Sequence, residues 1–269
     1  MSNQKIAIVT GSNKGIGLEI ARGFSKVAGY HTILACRSKE FGEEALRVLR
    51  QGAVPGASLE FRSLDIGNLE SIQNFTTSFK NDFTKCDILV NNAAIAFKAA
   101  DPTPFAKQAA PTLNVNYFGT VELTNQMLSL LPAGARVVNV ASMAGHLKIL
   151  KTQSLKEEFT SPDLTEETLS KIMQAFVADI QAGDTSDKWP KTCYGMSKLG
   201  LIAYTKVLSR CRPDLLVNAV CPGWCSTDMS SHQGPRTAQK GAETPLMLAL
   251  SPSVTTSGGF YQDDALIEW

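Results

Sequence analysis

The sequence predicts a single α/β domain in which a doubly wound parallel sheet is covered by helices on both faces. Two observations lead to this prediction. Short apolar runs rich in β-branched residues alternate with segments of helical periodicity, and these runs are too continuously apolar for a sheet with one face in water. In addition, no repeat, low-complexity tract or flexible linker divides the chain, so one domain is expected over residues 1–269.

Seven apolar runs are predicted to form the strands. They are KIAIVTG (5–11), HTILACR (31–37), LEFRSLD (59–65), CDILVNN (86–92), ARVVNVAS (135–142), LLVNAVC (215–221) and FYQ near residue 260, where the sheet is predicted to end. Ligands of doubly wound folds bind beyond the carboxyl ends of the parallel strands. Because small and polar residues follow these runs, this edge of the sheet is predicted to hold the functional site.

Apolar stripes at helical spacing predict helices between the strands. The two clearest stripes, in segments 15–28 and 68–83, are Ile16, Ile20, Phe24 and Val27, and Leu69, Ile72, Phe75 and Phe79. Further helices are predicted at 164–182 and 191–211, and a last helix precedes the final strand.

Charge and length exclude several classes of function. The 26 Lys and Arg residues balance 25 Asp and Glu residues, which leaves a formal net charge of +1 and no basic run for nucleic acid or an anionic membrane. The expected partner is therefore a small molecule. The apolar run in the opening stretch MSNQKIAIVTGS is shorter than the apolar region of a signal peptide, and no later apolar run approaches the length that crosses a membrane. A cytosolic location is the resulting expectation.

The six cysteines favour free thiols over a disulfide framework, because they are spread through a long chain without a secretory signal. Cys221 and Cys225, in CPGWC, form the only close pair. A zinc site would need further Cys or His ligands at suitable spacing, and the three histidines are scattered singly. No metal is predicted, and both thiols are given a structural or loop role.

The first strand runs into a glycine-rich turn that opens a helix. The turn consists of Gly11, Ser12, Asn13, Lys14, Gly15, Ile16 and Gly17, in the spacing G-x-x-x-G-x-G. Glycines allow a sharp turn and let backbone N–H groups approach a pyrophosphate, which the positive end of the helix dipole attracts. A plain turn is the alternative, but the position between a first strand and a helix favours cofactor binding.

The end of the second strand indicates which dinucleotide this turn binds. In NAD sites an acidic residue about 20 positions further on hydrogen-bonds the ribose 2′-hydroxyl. Arg37 occupies that position here, no acid occupies the end of the second strand before Glu40, and Lys14 adds a second cation. A guanidinium can bind a 2′-phosphate with two parallel hydrogen bonds, so the sequence favours NADPH. Alternatively, Arg37 covers the neighbouring helix as a solvated charge.

Six motifs follow one another in an order that is more specific than any one of them. They are TGSNKGIG (10–17), NNAA (91–94), Asn116 in NVNYFGT, Ser142 after the fifth strand, Tyr194 four residues before Lys198, and CPGWCST (221–227). No other tyrosine has lysine four residues later. Together the motifs resemble the short-chain dehydrogenase/reductase family over essentially the whole chain. The resemblance implies a Rossmann-type fold and a nicotinamide-dependent enzyme.

The same resemblance implies catalytic roles for four of these residues. Tyr194 would be the general acid that protonates a carbonyl oxygen as hydride reaches the carbon. Lys198, one helical turn away, is expected to lower the phenol pKa and to bind the nicotinamide ribose. Ser142 would hold the carbonyl oxygen, and Asn116 would support a proton relay through water. Taken alone, Ser142 could be a strand-end cap and Asn116 a satisfied polar side chain in a helix.

Further cofactor contacts are implied for residues at other strand ends. Asp65 and Ile66 would contact the adenine, Asn91 the cofactor at the end of the fourth strand, and Thr227 the nicotinamide side. Asp65 could instead cap the following helix, and Asn91 could satisfy loop backbone.

Ser142 and Tyr194 lie 52 positions apart, much further than in ordinary members of the family. An insertion at about 148–188 is therefore inferred, and within it Leu169, Ile172, Met173, Phe176, Val177 and Ile180 form an apolar stripe that must be buried. The insertion resembles that of the carbonyl reductases, a branch that depends on NADPH and is often monomeric because the extra helix covers a pairing surface.

The branch resemblance implies a substrate site and an activity. Ser142, Tyr194 and Trp224 would face the substrate, and Phe97 and Gln108 could meet substrates that carry glutathione. Trp224 could also be a plain core residue. The expected activity is NADPH-dependent reduction of aldehydes, ketones and quinones to alcohols or hydroquinones. The alternatives are a reductase specific for a steroid, prostaglandin or pteridine, and a catalytically idle NADP(H)-binding protein.

Overall fold

The computed structural model describes residues 4–98, 100–183 and 188–269. Its strands are β1 (Lys5–Thr10), β2 (Tyr30–Cys36), β3 (Ser58–Ser63), β4 (Ile88–Asn91), β5 (Arg136–Val140), β6 (Leu216–Val220), β7 (Phe260–Gln262) and β8 (Ala265–Leu266). They form one sheet in the order β3-β2-β1-β4-β5-β6-β7-β8. All seven strands predicted from the sequence are present, and they pair in parallel.

The helices are α1 (Gly15–Ser25), α2 (Lys39–Gln51), α3 (Leu69–Asp82), α4 (Phe105–Leu113), α5 (Gly119–Met127), α6 (Gln153–Thr160), α7 (Glu166–Gln181), α8 (Cys193–Cys211) and α9 (Ala238–Leu250). They cover both faces of the sheet, and β1 shows why its sequence is continuously apolar. Ile6 and Ile8 join the core that packs on one face, whereas Ala7 and Val9 join the core on the other. The doubly wound α/β prediction is therefore confirmed.

The strand order places a crevice at the carboxyl ends of β1 and β4. The chain winds outward from β1 through β2 to β3, returns to β4 on the other side of β1, and continues to β7. Helices on the two sides of this reversal diverge, which leaves room for a ligand. The glycine-rich turn after β1 and the polar residues after β4 and β5 all lie at this edge.

One local prediction was wrong. The sheet does not end at β7, because the chain turns at Asp263 and Asp264, both with positive φ, and adds the short antiparallel strand β8. Leu69 is not buried with the rest of its stripe. It is 56% exposed in the first turn of α3, beyond the edge of the core that covers Ile72, Phe75 and Phe79.

Helices α6 and α7 occupy most of the segment interpreted as an insertion. Five of the six stripe residues of α7 are buried, and Val177 is half-buried against the same core. The stripe packs within this chain, against α4 and α8. Residues 184–187, at the end of the predicted insertion, lie outside the described residues.

Within the described ranges, no helix combines the length and the apolar character that crossing a membrane requires.

Candidate active site

Tyr194 and Lys198 lie on the first turns of α8, at the sheet edge where β5 and β6 end. The helix begins at Cys193 because Thr192 caps it, with the Thr192 hydroxyl accepting a hydrogen bond of 2.9 Å from the Gly195 N–H. Lys198 is 2% exposed, and its ammonium donates a 2.7 Å hydrogen bond to the carbonyl of Val140, the last residue of β5. Tyr194 is half-buried. The predicted pair is thus brought to the predicted edge.

The electrostatics of the pair differ from the sequence-based expectation. Burial raises the pKa of Tyr194 to about 12, although a hydrogen bond from the Ser142 side chain opposes the increase. Burial lowers the pKa of Lys198 to about 8. The Lys198 ammonium is bound to the Val140 carbonyl and lies 5.7 Å from the centroid of the Tyr194 ring. The Ser142 side chain acts to lower the pKa of Tyr194.

Ser142 has the capping role that the sequence left open, and its side chain also lies beside Tyr194. It follows β5 directly and caps a short 3₁₀ turn, Met143–Gly145, through a 3.1 Å hydrogen bond that its hydroxyl accepts from the Ala144 N–H. The same side chain hydrogen-bonds Tyr194. The cap fixes the rotamer of Ser142, so that its hydroxyl is held beside the phenol rather than free to rotate away.

Asn116 lies in a π-helical segment, Asn114–Phe118, between α4 and α5. Its amide makes two hydrogen bonds with the backbone of Ile95, at 2.8 and 2.9 Å, and donates a third, at 3.0 Å, to the Ser197 hydroxyl. The Ser197 hydroxyl donates in turn to the Tyr194 carbonyl. Asn116 therefore links the loop after β4 to the helix that carries Tyr194. Single π turns often occur at functional sites.

The glycine-rich turn has the geometry of a phosphate-binding loop. Gly11 and Gly15 have φ values of +64° and +57°, which side chains other than glycine rarely adopt. A Cβ atom at Gly17 would lie 2.4 Å from both the Asn92 amide nitrogen and the Gly11 carbonyl. The turn is thus closed tightly onto the start of α1, with its N–H groups at the positive end of the helix.

Two residues that the sequence did not single out hold this turn in place. The Thr10 hydroxyl accepts hydrogen bonds of 2.9 Å from the N–H groups of Asn92 and Ala93, and the Asn92 side chain donates to the Thr10 carbonyl at 2.8 Å. Both residues stand inside quoted motifs, TGSNKGIG and NNAA. Their pairing depends on β1 and β4 being neighbours, which the motifs do not reveal.

The polar atoms of the turn indicate that it can hold the phosphate of a dinucleotide. The Ser12 hydroxyl is buried and has no hydrogen-bond partner among the described residues. Buried polar groups are nearly always paired, so an unpaired hydroxyl in a turn shaped for phosphate indicates a missing ligand. Asn13, Lys14 and Ile16 complete the turn, and Ile16 packs towards Gly241 of α9.

The two cations predicted for the 2′-phosphate have different surroundings. Arg37 follows β2, is exposed, and its guanidinium has no ion-pair partner in the part of the chain that the structure describes. Lys14 is paired with Asp228, at 2.7 Å between Nζ and Oδ2. The Lys14 ammonium holds the pKa of Asp228 below its ordinary value. Arg37 is therefore free to bind an anion, whereas Lys14 must first leave Asp228.

The remaining predicted cofactor contacts lie around the crevice. Asp65 does not cap α3, because Asn68 does so; its carboxylate instead accepts a 3.0 Å hydrogen bond from the Gly67 N–H, and Ile66 is buried beside it. Thr227 lies against the glycine-rich turn, since a Cβ atom at Gly15 would meet the Thr227 methyl group at 3.4 Å.

Asn91 differs from the other predicted contacts because its side chain is engaged inside the protein. Its amide nitrogen donates to Thr124 at 3.0 Å and to Asn139 at 2.9 Å, and Asn139 donates to Thr205. This buried row of polar side chains ties β4 and β5 to α5 and α8. The side chain therefore does not serve the loop backbone, and its oxygen is buried without a hydrogen-bond partner among the described residues.

The predicted substrate residues surround the same edge with varied exposure. Trp224 is 59% exposed, which excludes a role as a core residue. Phe97 is half-buried in the loop after β4. The Gln108 side chain donates a 2.7 Å hydrogen bond to the Thr103 carbonyl and so would have to turn to meet a ligand.

The close cysteine pair does not form part of a metal site in the described residues. Cys221 and Cys225 are buried free thiols, and no group of three or more His, Cys, Asp and Glu side chains is placed there to hold an ion. The Cys221 thiol accepts a 3.4 Å hydrogen bond from the Gly223 N–H, and the Cys225 thiol donates to the Pro222 carbonyl. Both stabilise the loop that bears Trp224.

Comparison with known proteins places this geometry in a family. A family model described as short chain dehydrogenase matches residues 5–154. The chain therefore belongs to the short-chain dehydrogenase/reductase family, and the resemblance inferred from its motifs is confirmed. Among curated relatives, carbonyl reductase [NADPH] 1 of Mus musculus is 38% identical over 100% of this chain and 99% of its own length. Carbonyl reductase [NADPH] 3 of Rattus norvegicus is also 38% identical, with the same coverage.

Solved structures support the same assignment. Salutaridine reductase from Papaver somniferum has a TM-score of 0.86 and 30% identity, over 96% of this chain and 99% of its own. Menthone neomenthol reductase from Mentha piperita has a TM-score of 0.82 and 28% identity, over 96% of this chain and 98% of its own.

Proposed function

We propose that this protein is an NADPH-dependent reductase that converts aldehydes, ketones and quinones to alcohols or hydroquinones. The observation that best supports the proposal is that Ser142, Tyr194 and the buried Lys198 meet at the edge of the sheet that holds the glycine-rich turn. The identity of 38% with full-length carbonyl reductases named for NADPH supports the cofactor and the type of substrate.

The cofactor would be held by the glycine-rich turn and by the residues around it. Backbone N–H groups of the turn and the unpaired Ser12 hydroxyl would bind the pyrophosphate, and Arg37 would bind the 2′-phosphate. Asp65 and Ile66 would flank the adenine, and Thr227 the nicotinamide. Lys198 would also bind the nicotinamide ribose. When bound, NADPH supplies the hydride that is transferred to the carbonyl carbon.

The residues of this chain would manage the charge that develops on the carbonyl oxygen. Ser142 holds that oxygen next to the phenol, and Tyr194 donates its proton to it. A pKa of about 12 keeps the phenol protonated at neutral pH, so the acid form is always available for reduction. Lys198, with a pKa of about 8, is largely charged at pH 7 and stabilises the phenolate once the proton has left.

Return of a proton to Tyr194 would pass through the region of Asn116. Asn116 is fixed by Ile95 and Ser197 at the backbone of the catalytic helix, and since both of its amide N–H groups are engaged, the second lone pair of its side-chain oxygen would be the group that holds a relay water. This arrangement would connect the buried phenol to solvent without opening the core.

Trp224, with Phe97 in the loop after β4 and Gln108 in α4, would form the wall that the substrate contacts. The buried stripe of α7 supports a monomer, because the surface that the helix covers is filled within one chain. Sedimentation should then show one species near the chain mass of 29.0 kDa. The cytosolic location and the binding of glutathione conjugates stay predictions.

The proposal can be tested by following NADPH absorbance with a panel of substrates. The panel should contain a quinone, an aromatic ketone and an aldehyde, with a steroid, a prostaglandin and a pteridine as rivals, each run with NADPH and NADH. Broad turnover of the first three with NADPH is expected. Turnover of a single rival would indicate the specific reductase, and tight NADPH binding without any turnover would indicate the idle binding protein.

A further inference from the structure

Trp269, the last residue of the sequence, lies against the turn that carries Ser142. After β8 the chain runs back along the sheet edge, where the Ile267 N–H donates a 2.8 Å hydrogen bond to the Phe260 carbonyl. Ile267 and Trp269 then pack on the larger core. The indole N–H of Trp269 donates a 3.2 Å hydrogen bond to the carbonyl of Gly145, which is 124 residues away in the sequence.

Gly145 is the end of the 3₁₀ turn that Ser142 begins. Its N–H donates a 2.9 Å hydrogen bond to the Ser142 carbonyl, so the two residues move as one unit. A Cβ atom at Gly145 would lie 2.5 Å from the Lys198 carbonyl carbon and from the Leu199 nitrogen. The turn is therefore in direct contact with the backbone of α8, within the segment that contains Tyr194 and Lys198.

Trp269 contacts the same helix from the other side of the turn. The ammonium of Lys206, eight residues after Lys198 on α8, lies 5.4 Å from the centroid of the Trp269 ring. Such a contact between a cation and an aromatic face is attractive. The indole thus bridges α8 and the Gly145 carbonyl, and it closes the turn onto the helix.

We propose that Trp269 is a positioning residue for the carbonyl-reduction reaction, because its hydrogen bond to Gly145 fixes the Ser142 hydroxyl relative to Tyr194. This inference rests on the proposed function, since it assigns Ser142 and Tyr194 to the reaction. Trp269 itself is not placed in contact with the substrate. It acts through the turn.

The test is the substitution Trp269→Phe, which keeps an aromatic ring but removes the N–H donor together with the second ring of the indole. A displacement of about 1 Å in a reacting group can reduce a rate by up to about 10²-fold, so we expect kcat to fall about tenfold. KM for NADPH should change by less than about twofold, because the glycine-rich turn is not touched. Trp269→Ala, which also removes the ring, should reduce kcat further.

A pH profile provides a readout that a general loss of stability would not move. In the reverse direction, alcohol oxidation with NADP⁺ needs the Tyr194 phenolate, and the Ser142 hydrogen bond lowers the pKa of that phenol. Misplacing Ser142 should therefore shift the alkaline midpoint of alcohol oxidation upward in Trp269→Phe. Unchanged kcat together with an unchanged midpoint would overturn the proposal.

Trp189→Phe is the matched control. Trp189 lies in the segment before α8 and is 3% exposed. Its indole N–H donates a 2.8 Å hydrogen bond to the Asp179 carboxylate in α7. Its loss should lower the melting temperature but leave kcat and the pH midpoint as in the wild type. An equal loss of kcat in both variants would overturn a specific role for Trp269. Failure of the proposed function would look different, because the wild type itself would then show no turnover.

Discussion

The candidate active site has two halves that are built in different ways. In the catalytic half, Ser142, Lys198 and Asn116 are each bonded to backbone groups of neighbouring elements, and Lys198 and Asn116 are almost completely buried. In the nucleotide-specificity half, Arg37 is exposed without an ion-pair partner in the described ranges, and Lys14 is paired only with an exposed Asp228. The residues proposed for the chemistry are thus fixed by the core, whereas those proposed to select the cofactor carry charges on the surface.

The largest expected effect is the loss of the catalytic acid. Tyr194→Phe removes the proposed proton donor, so kcat with a quinone or aromatic ketone should fall about 10³-fold, while NADPH still binds. Tyr30→Phe, at the opposite end of the sheet, is a control that should leave kcat unchanged. Full turnover by Tyr194→Phe would refute the mechanism.

The second effect concerns the stability of the ligand-free protein. Burial lowers the pKa of Lys198 from 10.5 in the unfolded chain to about 8, a cost of about 3 kcal/mol when the group is charged in both states. This cost is present in full below pH 8, where Lys198 is charged in both states. Between about pH 8 and 10.5 the cost decreases, because Lys198 is already neutral in the folded protein but still charged in the unfolded chain. Above pH 10.5 Lys198 is neutral in both states and the cost is gone.

Lys198→Met should therefore stabilise the ligand-free protein near pH 7 and lower its equilibrium constant for unfolding by up to about 10²-fold. The difference between the two proteins should become smaller towards pH 10. Denaturant unfolding of both proteins across this pH range measures the difference. Lys206→Met, on the same helix but only partly buried, is the control with a smaller change. A difference that does not vary with pH would contradict the stated origin of the low pKa.

The third effect tests the specificity half. Arg37→Ala should weaken NADPH binding about 30-fold, because a charge-assisted bidentate contact contributes about 1.5–3 kcal/mol, and should leave NADH binding nearly unchanged. Fluorescence titration with both cofactors measures this. Lys39→Ala, an exposed cation two residues further on, should change neither affinity by much. Equal weakening for both cofactors would remove Arg37 from the 2′-phosphate site.

The smallest effect sharpens the role of Lys14. Asp228→Asn removes the ion pair that holds Lys14, so NADPH should bind about two- to threefold more tightly, which is the size expected for an exposed pair. The gain should disappear at high salt. Glu243→Gln, which removes an exposed carboxylate paired with Lys240, should have no such effect. Weaker NADPH binding in Asp228→Asn would show that the pair supports the site.

The sequence predicted the elements and the chemical types better than the contacts between them. Tyr194 and Lys198 could be found because their spacing is a property of one helix, and α8 confirmed it. The pKa of Tyr194 could not be predicted from the sequence, because it depends on where the Lys198 ammonium points and on how deeply the pair is buried. The hydrogen-bond partners of Asn91 could not be predicted either, since successive residues of a strand face opposite sides of the sheet and so have different surroundings.

Long-range contacts account for the rest of what the sequence missed. Thr10 and Asn92 meet only because β1 and β4 are neighbours, and Trp269 reaches Gly145 only after the chain has added β8. Neither pairing has a local signal. The extra strand itself depends on two consecutive aspartates with positive φ, a conformation that such residues adopt more readily than most but that no pattern requires.

The π-helical segment that holds Asn116 also constrains how the chain can vary in length. Residues 105–127 form one continuous helical path, and the Gly119 N–H bonds the Asn114 carbonyl, five residues back instead of four. That bond accommodates one surplus residue. Each residue turns an α-helix by about 100°, and the bulge absorbs that turn, so α4 and α5 keep the orientation that they would have in a regular helix one residue shorter. Relatives whose helix is one residue shorter should therefore lack the π-helical segment and still present the same faces of α4 and α5.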